Sequence, residues 1–232
     1  MSVTSELNRI LSTLPQGVNL VAISKYHPAE QIAEAYAAGQ RIFGENHIME
    51  MAAKAAILPD DIQWHFTGHV QTNKIKHMAP FVDTIQSVDS YRVLKEIDKH
   101  AIRCGRVINC LLQIHVAQEE TKYGLTPAEC LTLLDNEPWR GLHGVRLTGL
   151  MAMASNTDDE AQVRREFRSV KQLFDDIKAT YFADVSSFRI LSMGMTSDYP
   201  LALAEGVNMV RIGTAIFGSR PTSTASDIPA KG

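Results

Sequence analysis

The sequence predicts a single α/β domain of the (β/α)8 barrel type, and three observations predict it. Short apolar or β-branched runs alternate with helix-like stretches along most of the chain, eight such runs recur at near-even spacing, and no stretch has the composition of a linker. Strict alternation implies a parallel sheet, because neighbouring parallel strands need a crossover long enough to hold a helix. Eight is the number of strands that closes such a sheet on itself. An open doubly wound sheet is the rival arrangement, and 232 residues would also accommodate two compact domains.

In chain order, Leu7, Ile10, Leu11 and Leu14 make a helical stripe in residues 1–14, which flanks the core before Pro15 and Gly17 break it. Strand one is the run NLVAISK at 19–25, with a lysine at its carboxyl end; a helix over 29–38 starts just past Pro28 and stops at Gly39. Strand two is 41–44, a helix covers about 47–56, and strand three is 63–66 after the LPDD turn. A helix begins near Thr72 and ends before Pro80, strand four is 84–88, and Asp89-Ser90 caps a helix over 91–103 that Gly105 closes. Strand five, 107–116, is the longest. A polar loop, 117–124, leads to a helix opened by Thr126, Pro127 and Glu129, a capping-box pattern. Strand six is 146–151, a long helix spans about 161–181, strand seven is 190–193, a short helix is 199–205 and strand eight is 209–212. Residues 1–218 then form the barrel with its flanking helix. The tail, 219–232, is small, polar and proline-bearing, and disorder is expected there.

Composition narrows the functional classes. With 45% hydrophobic and 21% charged residues the chain has the balance of a globular protein with a sizeable core. No apolar run approaches a membrane span, and the amino terminus lacks the basic-then-apolar layout of a signal peptide, so a cytoplasmic protein with no membrane partner is expected. A net charge of −3 with dispersed basic residues argues against nucleic acid as a partner. Cys104, Cys110 and Cys130 are an odd number in no metal-like spacing, which implies reduced thiols; Cys110, among apolar neighbours, reads as buried packing. His65 and His69 stand four apart, but Gly68 between them speaks against a shared helix face, so no metal site is expected. Lys74, Lys76 and His77 form a small basic patch that a solvated helix face explains.

In a barrel the chemistry sits where strands end and helices begin. Lys25 stands at such a place. An amine partly withdrawn from water and close to positive helix ends is disfavoured as an ammonium and is better able to attack an aldehyde. The alternative is a solvated lysine just past a strand. The loop from Ser192 to Ser197 joins a strand to a helix with a glycine and three hydroxyls, and Gly213-Thr214 repeats the design after the eighth strand. Hydroxyls and free backbone N–H groups at those two loops suit a phosphate dianion. Arg211, at the end of strand eight, could hydrogen-bond a ring nitrogen and keep it unprotonated, since its own proton is held too firmly to give. Pairing with a barrel carboxylate is the other reading of Arg211.

These residues carry a resemblance. LVAISK at 20–25, FGEN at 43–46, WHFTG at 64–68 with QTNK at 71–74, GLMAM at 149–153, LSMGM at 191–195 with Ser197 and Asp198, and VRIG at 210–213 together resemble the pyridoxal phosphate homeostasis protein family. The resemblance implies a single-domain barrel similar to the barrel domain of bacterial alanine racemase, holding pyridoxal 5′-phosphate as an aldimine on Lys25. It implies that Ser192, Thr196, Gly213 and Thr214 hold the phosphate, that Arg211 faces the ring nitrogen, and that Asn46, His65 and Met151 line the pocket. It also implies a role in vitamin B6 and amino-acid homeostasis with no catalytic residue, and pyridoxal-phosphate-dependent apo-enzymes as recipients; a monomer is expected because the sequence shows no dimerising domain. The chain departs from the family's pattern at His115, where asparagine is commoner, and at Thr196, where serine is common; threonine keeps the hydroxyl. Two rival functions use the same lysine: a racemase-type enzyme acting on amino acids, and a lysine-dependent aldolase acting on a sugar phosphate, which would bind no coloured cofactor.

Overall fold

The computed structural model describes residues 2–118, 123–136 and 138–219. Residues 119–122 of the polar loop and the tail from 220 on, where disorder is expected from the sequence, lie outside the described residues.

The described chain is a closed barrel of eight parallel strands in sequence order. They are β1 (Asn19–Ile23), β2 (Ile42–Glu45), β3 (Gln63–Phe66), β4 (Thr84–Val88), β5 (Ile108–His115), β6 (Val145–Met153), β7 (Ile190–Ser192) and β8 (Met209–Ile212). Closure is the pairing of β8 with β1, Leu20 opposite Val210 and Val21 opposite Arg211, which excludes the open sheet. Between the strands run α2 (Ala29–Ala37), α3 (Ile48–Ala55), a 3-10 turn (Thr72–Lys74) continuing into α4 (Ile75–Met78), α5 (Tyr91–Arg103), α6 (Pro127–Asn136), α7 (Glu160–Tyr181) and α8 (Tyr199–Ala204). Strands buried on both faces, by the barrel interior and by the helices, are continuous apolar runs without strict alternation. That is why the sequence shows them as blocks.

Three of the helices between strands start at side-chain caps. Ser90 accepts from the N–H of Val93 at 3.3 Å and Asp159 from that of Gln162 at 3.1 Å. Thr126 and Glu129 close a reciprocal box, the N–H of Thr126 donating to Glu129 Oε2 at 2.8 Å and the N–H of Glu129 to Thr126 Oγ1 at 3.2 Å. The flanking helix α1 (Val3–Leu11) packs on α2 and on α9 (Thr214–Phe217), a short helix after β8. Its buried face is Val3, Leu7 and Ile10; Leu11, read as part of the stripe, is 39% exposed because it lies about 100° around the helix from Ile10. No helix among the described residues is long and apolar enough to cross a membrane.

Candidate binding site at the carboxyl end of the barrel

β1 ends at Ile23, and the chain leaves it through Ser24, Lys25 and Tyr26. Tyr26, at φ 67°, is the one non-glycine residue in the left-handed region among the described residues. The kink turns Lys25, half-buried, into a cavity of about 350 Å³, the size of a small-ligand site. Asn46, Met151, Thr196, Arg211, Gly213 and Thr214 line the same cavity. Asn46 Oδ1 accepts from Thr67 Oγ1 at 2.7 Å, which leaves its amide N–H groups as donors.

Two hydroxyl-bearing loops meet there. In the loop after β7, Gly194 adopts φ 90°, and a Cβ on it would lie 2.8 Å from Tyr199 Cα. Its carbonyl accepts from the Arg211 N–H at 2.9 Å, and Asp198 Oδ1 accepts from the Met195 N–H at 2.6 Å, so the loop is docked onto β8 and braced internally. Thr196 and Ser197 are left exposed at the cavity. On the other side β8 runs through Gly213 into α9, and a Cβ at Gly213 would stand 2.9 Å from the Ile23 carbonyl oxygen. The glycine lets the two strands stay close, and the first turn of α9 leaves N–H groups without intrahelical partners beside Thr214.

Arg211 is 4% exposed. Its Nη1 donates to the carbonyl oxygen (2.9 Å) and hydroxyl (2.7 Å) of Ser192, and its Nη2 to the Ala152 carbonyl (2.9 Å). None of the ion pairs among the described residues includes it, so pairing with a barrel carboxylate is not its role. Burial lowers its pKa to about 10, which still leaves it charged at neutral pH.

Ser192 and His65, expected at the cofactor, lie in the layer beneath the cavity instead, 0% and 3% exposed. The Ser192 hydroxyl, which accepts from Arg211, donates to Gln86 Oε1 at 2.7 Å; Gln86 Nε2 donates to His65 Nδ1 at 2.8 Å; His65 Nε2 then faces Asp83 Oδ2 at 3.6 Å. Every donor in the row points away from Arg211, which fixes the His65 tautomer with its proton on Nε2. Ser192 is thereby spent on holding Arg211, and burial holds His65 neutral, its pKa lowered to about 4. His115 is not in the wall of this cavity. The sequence reading had not assigned Tyr26, His27 and Thr67, which are, nor Gln86, which orders the row below; a polar side chain inside the run TIQSV was the available signal for Gln86. His27 is 6% exposed, with its Nδ1 unpartnered and its ring 5.3 Å from that of Phe217; burial lowers its pKa.

Fold and cavity together define a class: a (β/α)8 barrel with a lysine, a buried arginine and two hydroxyl-bearing loops converging on one cavity at its carboxyl rim. The family described as the alanine racemase N-terminal domain matches residues 2–221. The pyridoxal phosphate homeostasis protein of Schizosaccharomyces pombe is 35% identical over 234 residues, 98% of this chain and 97% of its own; that of Haemophilus influenzae is 37% identical over 213 residues, 90% and 88%. The chain belongs to the pyridoxal phosphate homeostasis protein family. Its fold is close to that of PipY from Synechococcus elongatus, solved without and with PLP bound, at 37% identity, TM-scores of 0.87 and 0.84, and 94% of this chain against 100% of that one. Alanine racemase of Clostridium difficile, 16% identical with a TM-score of 0.72 over 96% of this chain and 60% of its own, shares the barrel fold.

Proposed function

We propose that this protein binds pyridoxal 5′-phosphate through a reversible Schiff base on Lys25 and holds it for vitamin B6 and amino-acid homeostasis, without catalytic turnover. The observation that carries the reading is the convergence of Lys25, Arg211 and the hydroxyls of Thr196 and Thr214 on one cavity. The cofactor has three recognition needs, an amine for its aldehyde, donors for its phosphate and a partner for its ring nitrogen, and the donor set fits all three. Bound there, it supplies an electrophilic aldehyde. Thr196, Gly213 and Thr214 hold the phosphate, Asn46 and Met151 bound the ring, and Ser192 and Ala152 fix the guanidinium of Arg211. An arginine at the ring nitrogen favours storage over chemistry, because a nitrogen that it does not protonate makes the ring a poorer electron sink. The carrier acts as a cytoplasmic monomer, with pyridoxal-phosphate-dependent apo-enzymes as recipients.

The test is a visible spectrum of protein mixed with pyridoxal phosphate, before and after borohydride, followed by peptide mass mapping. The expected result is an absorption band that reduction removes, with the phosphopyridoxyl mass on the peptide containing Lys25. Lys25→Ala shows neither, yet retains measurable non-covalent affinity through the phosphate loops. Protein that takes up no cofactor would overturn the reading in favour of the sugar-phosphate aldolase. Exchange of an amino acid's α-proton with deuterated solvent at enzymatic rates would replace the carrier with a racemase-type enzyme.

A further inference from the structure

A cluster of buried charge lies against the turn that carries Lys25, and cofactor binding makes no use of it. Lys54, on α3, is 7% exposed. Its Nζ donates to Glu45 Oε1 and Glu50 Oε1, both at 2.7 Å, and to the Ser24 carbonyl at 2.8 Å. Glu45 Oε1 also accepts from the Ser24 hydroxyl at 2.7 Å, and Glu50 Oε1 from the Tyr26 N–H at 2.6 Å. The residues on both sides of Lys25 are therefore tied to the same three side chains. Glu45 is 0% exposed, burial raises its pKa, and its Oε2 has no partner.

This arrangement is expensive for a merely structural contact. Apolar side chains of similar volume would fill the space without the desolvation of three ions, and two carboxylates on one ammonium leave the charge unbalanced. Tyr26 is also held in a backbone conformation that residues with a Cβ avoid. An apolar filling could not hold that turn, because it offers no acceptor to the Tyr26 N–H and no donor to the Ser24 carbonyl. Charge and strain coincide at the segment from which the reactive amine projects.

We propose that Lys54, with Glu45 and Glu50, is a positioning device for Lys25. By fixing the turn from Ser24 to Tyr26 it sets the angle at which the lysine stem enters the cavity, and with it the rate and extent of aldehyde capture. In that step a C=N bond forms between Lys25 Nζ and the aldehyde carbon, and the carbonyl oxygen leaves as water; nothing is oxidised or reduced. The inference rests on the Schiff-base reading given above.

Lys54→Met would strand two carboxylates and risks misfolding, so the decisive variant is Glu50→Ala, whose carboxylate is at the edge of the cluster with its side chain 24% exposed. Capture is followed by stopped-flow absorbance after mixing with pyridoxal phosphate and by the borohydride-trapped fraction on the Lys25 peptide. Glu50→Ala is expected to slow capture between about tenfold and a hundredfold, and Glu50→Gln, which keeps an oxygen acceptor for the Tyr26 N–H, to recover most of the rate. In a Lys25→Ala background the same Glu50→Ala change leaves non-covalent affinity for pyridoxal phosphate within about twofold, since the device acts only through the lysine. Equal losses of affinity in both backgrounds would reduce the cluster to general scaffolding and overturn the proposal, as would an unchanged capture rate in Glu50→Ala. If the unsubstituted protein bound pyridoxal phosphate but never formed the covalent product, the Schiff-base reading would fail first and take this inference with it.

Discussion

His65 is expected to make the barrel interior sensitive to acid. It is 3% exposed, takes a hydrogen bond from Gln86 on Nδ1, and has the Asp83 carboxylate 3.6 Å from Nε2, too far for a hydrogen bond. Burial dominates that partial compensation and holds its pKa at about 4, against roughly 6.5 in an unfolded chain. Between those two values the unfolded state binds the extra proton, so stability is present above the upper value and is lost as pH falls towards the lower one. The loss is up to about 3 kcal/mol. Urea unfolding at pH 7.5 and pH 4.5 checks this: the wild type is expected to lose about 2 kcal/mol more than His65→Gln across the interval, carboxylate effects being common to both. Parallel losses would assign the acid sensitivity to other groups. The same residue shows where sequence reading stops. That Lys25 and Arg211 stand at the cavity was legible from their places at the ends of β1 and β8, whereas Ser192 and His65 occupy similar strand-end positions and face the layer below. Chain position does not distinguish the two layers.

A bulge in β6 accounts for a motif that the sequence showed without its reason. Cys110 pairs with Leu147 and Leu111 with Gly149, so Thr148 is an extra residue on β6. Gly149 adopts φ 155°, and a Cβ there would lie 1.7 Å from the Ile190 carbonyl oxygen on β7. Beyond the bulge, Met151 and Met153 both reach the cavity wall. Gly149→Ala is expected to destabilise the protein by about 3 kcal/mol or more, because backbone strain and a backbone clash add. Gly105→Ala is the control. Gly105 caps α5 at φ 64° with open space around it, so only the conformational cost of about 1 kcal/mol applies. Equal costs at the two positions, read by urea unfolding, would show that the sheet yields at β7 and that the close approach is not rigid. The strands themselves were legible as apolar blocks to within two residues at their ends, and α5 and α6 through the caps at Ser90 and Thr126. The bulge was not, since a strand buried on both faces does not alternate, and without alternation an inserted residue leaves no break in pattern.

At the scale of the whole molecule, closure was legible only as a count of eight; the pairing of β8 with β1 is a contact between distant parts of the chain that local periodicity does not encode. A closed barrel has no free edge from which to fray, so each strand is held by two ladders and its interior is expected to open as one unit. The three cysteines report on this. Cys104 is exposed, while Cys110 in β5 and Cys130 in α6 are each 0% exposed. Burial pushes the Cys130 thiol up to about 12 and the Cys110 thiol higher still, so neither forms thiolate while folded. A thiol-specific alkylating reagent in excess is expected to modify Cys104 rapidly and the other two together, at a common rate set by the population of the unfolded chain. Saturating pyridoxal phosphate, which stabilises the folded state by RT ln(1 + [L]/Kd), should slow that common rate by the factor 1 + [L]/Kd and leave Cys104 unaffected. If Cys130 reacts ahead of Cys110 and the cofactor slows only Cys110, α6 lifts off by itself, and cooperativity is confined to the strands and the helices that remain on them.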